Sequence, residues 1–284
     1  MTVPVRIHFF RYQIWVPLPL AIETGCYPPS MDLADSRTFE LFLEIYGTLP
    51  RAGPGSTEDT LRALDLVPAD PRPKTVIDLG CGPGAQTLVL AEALPDASIL
   101  AMDLTPHMVS EAGHRLTEAG FGERVRVKRG DMLGPIAPPA TQDLIWCEGA
   151  IYFAGVERAL RTWKPLLSPN GAIAFTEVIW IHPSPPEELV AWWHDEYPAI
   201  TDESGVRKAI SAAGFETIGS FPLPAAAWWN EYYEPMEQRV AEFRAQYEGD
   251  TLATEIANEA ENEIGKFRRF SEFYTYGFFV VRPS

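Results

Sequence analysis

Basic residues are scarce in this sequence: 23 Lys and Arg stand against 39 Asp and Glu, a formal net charge of −16. A chain this acidic repels a phosphate backbone, so nucleic acid is not expected as a partner without a local basic patch. The densest basic stretch, Arg124, Arg126, Lys128 and Arg129, is short and strand-like rather than such a patch. An acidic membrane surface is disfavoured on the same ground. No apolar run reaches the roughly 18 residues of a spanning helix, so no membrane partner is expected either. Cysteine is equally sparse. Cys26, Cys81 and Cys147 are odd in number and widely spaced, which argues against a disulfide framework and a zinc knuckle. No metal site is expected, and a reduced, cytoplasmic setting is the default. Internal repeats and low-complexity tracts are missing.

What is present suits one large α/β domain with an elaborated cap: 284 residues, of which 46% are apolar. The first thirty residues are apolar but broken by prolines and Glu23, with no small-x-small cleavage site. They make a poor signal peptide. They are expected to be a non-native or disordered extension, with Met31 a candidate start. Residues 31–284 are then one domain, with a core over 74–178 and cap elements over 35–66, 179–203 and 228–270.

Ser36 to Thr48 has Phe39, Phe42, Leu43 and Tyr46 at helical spacing. The loop Arg51-Ala-Gly-Pro-Gly-Ser56 follows, then a helix capped by Ser56 or Thr57 that runs to about Leu66. From Thr75 strands and helices alternate. Strands are expected at Thr75 to Leu79, Ser98 to Met102, Arg124 to Arg129, Asp143 to Cys147 and Ala172 to Val178. Helices are expected at Ala85 to Leu94, Thr105 to Ala119 and Val156 to Leu167, the last ending at a Pro169-Asn-Gly171 turn. This alternation predicts a mostly parallel sheet with helices on both faces. After Val178 the chain turns aromatic, through Trp180, Trp192, Trp193 and Tyr197. A helix at Ser204 to Ala213 and a strand at Phe215 to Leu223 precede a second aromatic knot, Trp228, Trp229, Tyr232 and Tyr233. Two helices follow, Pro235 to Tyr247 and Leu252 to Phe270. In the second, Glu255, Glu259, Glu261 and Glu263 lie early and Lys266, Arg268 and Arg269 late, as a helix dipole favours. A last strand spans Phe273 to Val281.

The chemistry concentrates at strand ends. Val76-Ile-Asp-Leu-Gly-Cys-Gly-Pro-Gly84 takes a buried strand into a loop with glycines at 80, 82 and 84, then into a helix. Glycines let a backbone press against a ligand, and ligands of open sheets lie beyond the carboxyl ends of the strands. The spacing is G-x-G-x-G rather than the G-x-G-x-x-G of dinucleotide folds. Asp78, two residues earlier, can meet the ammonium of an amino-acid ligand; a tight turn with no ligand is the plain alternative. Asp103 ends the next strand and can accept two ribose hydroxyls. Asp131 follows the third strand and can accept from an adenine amino group, with Leu104 and Met132 against the ring. Glu148 and Gly149 end the fourth. One acid at a strand end is usually a solvated turn; acids in this succession point to a ligand.

These segments resemble the successive motifs of class I S-adenosylmethionine-dependent methyltransferases, over roughly Lys74 to Glu177. A closer likeness to small bacterial methyltransferases rests on Arg51 to Ser56, Trp146 to Tyr152, Glu196-Tyr-Pro198 and Phe273 to Phe278, and extends over about Asp35 to Val281. Pro83 stands where such enzymes often carry threonine. The resemblance implies a Rossmann-like seven-stranded sheet with its last strand antiparallel, and an S-adenosyl-L-methionine cofactor held by Asp78, Gly80, Cys81, Gly82, Gly84, Gln86, Thr87, Asp103, Leu104, Asp131, Met132, Glu148 and Gly149. It implies methyl transfer to a small-molecule acceptor by in-line displacement. A non-catalytic S-adenosylmethionine-binding protein and a nicotinamide-dependent oxidoreductase on a similar sheet are the alternatives.

Transfer from a sulfonium needs orientation and a dry pocket, and needs a base only when the nucleophile carries a proton. Glu148 is the first candidate base, against a role in binding the cofactor or capping a turn. Tyr152 is the second catalytic candidate, against simple packing. His107 and His114 are expected at the surface, and His182 and His194 in the cap. Trp192, Trp229 and Tyr232 are candidate substrate contacts in an aromatic lid, or else form a small second core. The cap helices also offer a homodimer contact.

Overall fold

The computed structural model describes residues 37–68 and 72–284. The expectations for residues 1–30, for Cys26 and for a start at Met31 lie outside the described residues.

Two helices come first, α1 (Arg37–Tyr46) and α2 (Thr57–Leu66). The Ser56 hydroxyl accepts from the Asp59 amide at 3.1 Å and caps α2. The alternating run follows: β1 (Thr75–Leu79), α3 (Ala85–Ala93), β2 (Ser98–Asp103), α4 (Pro106–Glu118), β3 (Val125–Arg129), β4 (Gln142–Cys147), α5 (Val156–Trp163) and β5 (Leu167–Trp180). Then come α6 (Glu187–Glu196), the two-residue β6 (Thr201–Asp202), α7 (Glu203–Ala212) and β7 (Phe215–Pro222). A short α8 (Ala225–Trp228) passes through a π-helical turn, Trp229–Tyr233, into α9 (Glu234–Gln246); α10 (Thr251–Phe270) and β8 (Tyr274–Pro283) close the chain.

The sheet order is β3-β2-β1-β4-β5-β8-β7, with β6 paired to the end of β5. The first five strands are parallel, and β8 runs antiparallel to both β5 and β7. Connections leave β1 in one direction to β2 and β3 and return on its other side to β4 and β5. The topological switch point therefore lies at the carboxyl ends of β1 and β4, where an open sheet leaves a crevice.

Both faces are covered. Apolar residues of α3, α4, α9 and α10 form one large core against one face, with Val178, Tyr274, Tyr276 and Phe278 from the sheet. Helices α5 and α7 cover the other, through Ala159, Leu160, Trp163, Val206 and Ile210. The aromatic residues Trp193, Trp228, Tyr232 and Tyr233 belong to the first core. They extend the packing of the sheet and do not form a separate small one.

Three elements differ from expectation. Strand β5 begins at Leu167, not Ala172. Pro169-Asn-Gly171 does not end pairing but makes an irregularity, where the register steps from Gln142↔Leu167 to Leu144↔Ala172. Helix α5 stops at Trp163 and a 3₁₀ turn, Lys164–Leu166, takes the chain past Pro165, which has no amide to extend the α-helix. Helix α6 lies in the stretch whose prolines and tryptophans hid it; Pro186 stands at its N-cap, and Glu187 and Glu188 fill its first turn.

Candidate functional site

The glycine loop is shaped by its backbone. Gly80, Gly82 and Gly84 all have left-handed φ, at 73°, 52° and 84°. The Gly80 and Cys81 amides both donate to the Met102 carbonyl, at 2.8 and 2.9 Å, which ties the loop to β2. A Cβ on Gly80 would lie 2.4 Å from the Ala150 Cβ, inside any tolerable contact, so the turn admits only glycine. Gly80→Ala is expected to lower stability by about 1–3 kcal/mol through a strained φ alone, with the clash added. Gly53→Ala, with nothing within 4 Å of its Cβ, is the matched control. Urea unfolding of the two variants checks this; equal midpoints would show that the loop is not conformationally constrained.

Asp78 is fully buried at the end of β1. It accepts from the Thr87 hydroxyl at 2.5 Å and from the Gln86 amide at 3.5 Å, both on the first turn of α3. Burial raises its pKa to about 7, against the pull of these donors. Gln86 and Thr87 therefore position Asp78, and Gln86 also reaches the Cys81 carbonyl at 3.2 Å. The Cys81 side chain is buried in the core, and burial pushes its thiol up, so its sulfur is unavailable.

Asp103, at the end of β2, accepts from the Gly82 amide at 3.0 Å through one oxygen and from the Thr105 amide at 2.8 Å through the other. Burial raises its pKa although these amides oppose it. Each oxygen keeps a lone pair for a further donor. Next to it Leu104 is 49% exposed, an unusual place for a large apolar side chain. Met132 packs beside Gly80, its methyl 3.6 Å from where a Cβ would stand. Asp131 is exposed and accepts from the Leu133 amide at 2.8 Å, closing its own turn.

Glu148 is the best-partnered acid. One oxygen accepts from Thr60 Oγ1 at 2.8 Å and Trp146 Nε1 at 2.7 Å. The other pairs with Arg51 at 3.2 Å, and both side chains are nearly inaccessible. Arg51 also binds Glu231 at 2.8 Å. Burial raises the Glu148 pKa while Arg51 draws it down. Glu148 is thus held by three partners, one on the oxygen that faces Arg51 and two on the other. Its visible work is to clamp the 51–56 loop to the end of β4. Gly149 donates its amide to Thr176 Oγ1 at 2.7 Å.

Beyond Gly149 lies a narrow cleft. Its walls are Ala52, Gly53 and Pro54 of the clamped loop, Tyr152, and the aromatic rings of Trp192, Trp193, Trp228, Tyr232, Tyr233, Tyr274 and Tyr276, with Glu263 among them. Ala52 joins this cleft to the glycine loop, for its Cβ lies 3.2 Å from where one on Gly82 would stand. Of the expected substrate contacts, Trp192 and Tyr232 line the cleft. Trp229 does not: it packs on Phe267 with the Arg268 guanidinium 5.0 Å from its ring centre. Tyr152 lines the cleft but is buried, its ring tilted on Phe153 and edge-on to Tyr197, with burial pushing its hydroxyl far up. His107 packs on the Gly47 carbonyl at 3.2 Å, His114 and His194 are exposed, and His182 stacks on Phe273. None of the four lines the cleft.

The largest omission from the sequence reading is Glu263. It was expected to serve the dipole of α10 as an early charge. It is instead 4% exposed, and accepts from Tyr232 at 3.3 Å, Tyr233 at 3.1 Å and Tyr46 at 3.4 Å. The signal was available: Ile256, Ala260, Ile264 and Phe267 mark the apolar stripe of α10, and Glu263 falls within it.

A methyltransferase-domain family matches residues 76–171. A trans-aconitate 2-methyltransferase from Methylobacterium nodulans is 38% identical over 41% of this chain and 44% of its own length. Another so named, from an Azoarcus species, is 29% identical over 67% of this chain and 68% of its own. Several of these curated relatives are thus matched over less than half their length. The crystal structure of a methyltransferase from Geobacter sulfurreducens with S-adenosyl-L-homocysteine superposes with a TM-score of 0.75, at 19% identity, over 86% of this chain and 98% of that one.

Proposed function

Because the chain belongs to the class I S-adenosylmethionine-dependent methyltransferases, we propose that it transfers a methyl group from S-adenosylmethionine to a small-molecule acceptor by in-line displacement. S-adenosylmethionine supplies the electrophilic methyl when bound. The residues present fit such a ligand on their own chemistry. A glycine cradle that a Cβ would fill, with Met132 against Gly80, and a half-buried Asp103 with spare lone pairs next to an exposed Leu104 lie at the switch point.

Asp103 is placed to receive ribose hydroxyls, Leu104 and Met132 to cover the base, and Asp131 to meet its amino group. Asp78, the 80–84 loop and Gly149 would hold the amino-acid end, with Gln86 and Thr87 fixing Asp78 and Cys81 acting through its backbone. Core 74–178 carries this site, and the elements over 35–66, 179–203 and 228–270 cap it. The single observation carrying the proposal is that Ala52 both lines the aromatic cleft and packs against Gly82, so that the cleft adjoins the glycine loop. Acceptor and cofactor can then meet inside a wall that excludes water.

Calorimetry with S-adenosylhomocysteine, with NADH as control, tests the reading. The intact chain is expected to bind the first and not the second. Asp103→Ala is expected to lose about 2–4 kcal/mol, roughly thirtyfold or more in affinity, as two hydrogen bonds to a charged acceptor disappear. Binding of NADH alone would overturn the proposal and leave the fold standing. S-adenosylhomocysteine binding without turnover of any acceptor would favour a non-catalytic binding protein.

A further inference from the structure

We propose that the acceptor is an amine, and that the cleft lined by Trp192, Tyr232, Tyr233, Tyr274 and Glu263 is a cage for its cationic nitrogen. The inference rests on the methyltransferase reading and deepens it.

Three observations meet in this cleft. Its walls are aromatic faces and edges on several sides, with Trp192 and Trp193 at 69°, Trp193 and Tyr274 at 77°, and Trp228 and Tyr274 at 90°. These rings hold one another edge to face, and aromatic walls attract a cation. The one acidic lining residue among the described residues is Glu263; burial raises it to about 8, so it is protonated near neutrality and would ionise beside a bound cation. No lining residue is Lys or Arg, and nearby Arg51 is committed to Glu148 and Glu231. Finally, the Tyr274 hydroxyl lines the same cleft, is buried, and has no hydrogen-bonding partner among the described residues. A buried hydroxyl without a partner is costly unless a ligand supplies one.

Further acids lie near the cleft. Glu177 is buried on β5 with Tyr197 donating to it at 3.4 Å, and Glu196 is buried on α6. A carboxylate-bearing acceptor would find no lining cation among the described residues to receive it. An amine suits the reaction as well as the walls. The neutral amine is the nucleophile, an ammonium first giving its proton to solvent; the nitrogen lone pair forms the bond to the methyl carbon, and the carbon–sulfur bond breaks with its electron pair left on sulfur. Positive charge passes from sulfur to nitrogen, and a primary or secondary amine then releases one proton to solvent. The cage is complementary to the charge that appears on nitrogen, the state that catalysis must favour.

The test uses the whole chain and probes of known charge. Choline and its neutral isostere 3,3-dimethylbutan-1-ol differ in one atom, nitrogen for carbon. Calorimetry, with and without saturating S-adenosylhomocysteine, is expected to show choline binding about tenfold or more tightly than the isostere. Trans-aconitate should not bind. Glu263→Gln should cut the preference for choline to roughly threefold or less, with the fold checked by circular dichroism. Tyr274→Phe, which removes only the unpartnered hydroxyl, is the second variant should Glu263→Gln not fold; it should weaken choline more than the isostere. Equal affinity for choline and its isostere, or tight binding of trans-aconitate, overturns the cage. Absence of S-adenosylhomocysteine binding would instead overturn the methyltransferase reading, and the choline comparison without it would still decide the cage.

Discussion

Replacing Arg51 with alanine is expected to cost about 3–5 kcal/mol of folding stability, because it leaves the Glu148 carboxylate buried and unpaired. Both side chains are about 5% exposed or less, so water cannot take over as it does at surface pairs. For a chain of this size the loss corresponds to a fall in melting temperature on the order of 10 °C. The effect should be strongly non-additive. Arg51→Ala with Glu148→Ala should recover much of the loss, since neither charge is then orphaned. Urea unfolding of the wild type, both single variants and the double variant closes the cycle. A cost below about 1 kcal/mol for Arg51→Ala would place the pair with ordinary surface bridges and remove the clamp from the 51–56 loop. If the loop covers the cofactor, the same variant should also bind S-adenosylhomocysteine more weakly.

Stability is also expected to fall as pH rises from about 5 to about 8.5. Three buried carboxyl groups carry this prediction: burial raises Asp78 to about 7 and Glu177 and Glu263 to about 8. In the unfolded chain the same groups ionise near pH 4. Between these limits the folded state holds more protons than the unfolded one, so raising the pH favours unfolding. The contribution is whole below about pH 4 and gone above about pH 8. Together the three amount to several kcal/mol on the order-of-magnitude scale of linkage. Asp143 works in the opposite sense at the acid end. Hydrogen bonds from Lys74, Ser168 and Thr75 outweigh its burial and lower its pKa, so its contribution is lost below about pH 4. Urea midpoints at half-unit intervals from pH 5 to 8.5 should therefore decline, and Glu177→Gln should flatten the slope. A flat or rising profile would mean that these groups are ionised in the folded protein.

What the sequence revealed follows from how local each arrangement is. The 78–84 loop, Asp103 and Asp131 are legible because each is a strand end with its partner a few residues away, as Asp131 with Leu133 or Asp78 with Thr87. That most of the sheet is parallel follows from the alternation of strands with helices. Glu148 was visible as an acid at a strand end, yet its task was not, because Thr60 and Arg51 reach it from 88 and 97 residues earlier. Glu263 was harder still: Tyr46 comes to it across 217 residues, and only the tertiary packing of α1 on α10 brings them together. Trp229 shows the converse. Its neighbours in sequence line the cleft, but its own ring faces Arg268.

The π-helical turn at Trp229–Tyr233 bears on how this chain relates to others. Consecutive residues of an α-helix point about 100° apart, yet Tyr232 and Tyr233 both donate to the same oxygen of Glu263. The wider turn makes that convergence feasible. A relative whose helix runs uninterrupted through this stretch would align with a one-residue gap between 229 and 233. Such a relative would carry one hydroxyl at the carboxylate in place of two.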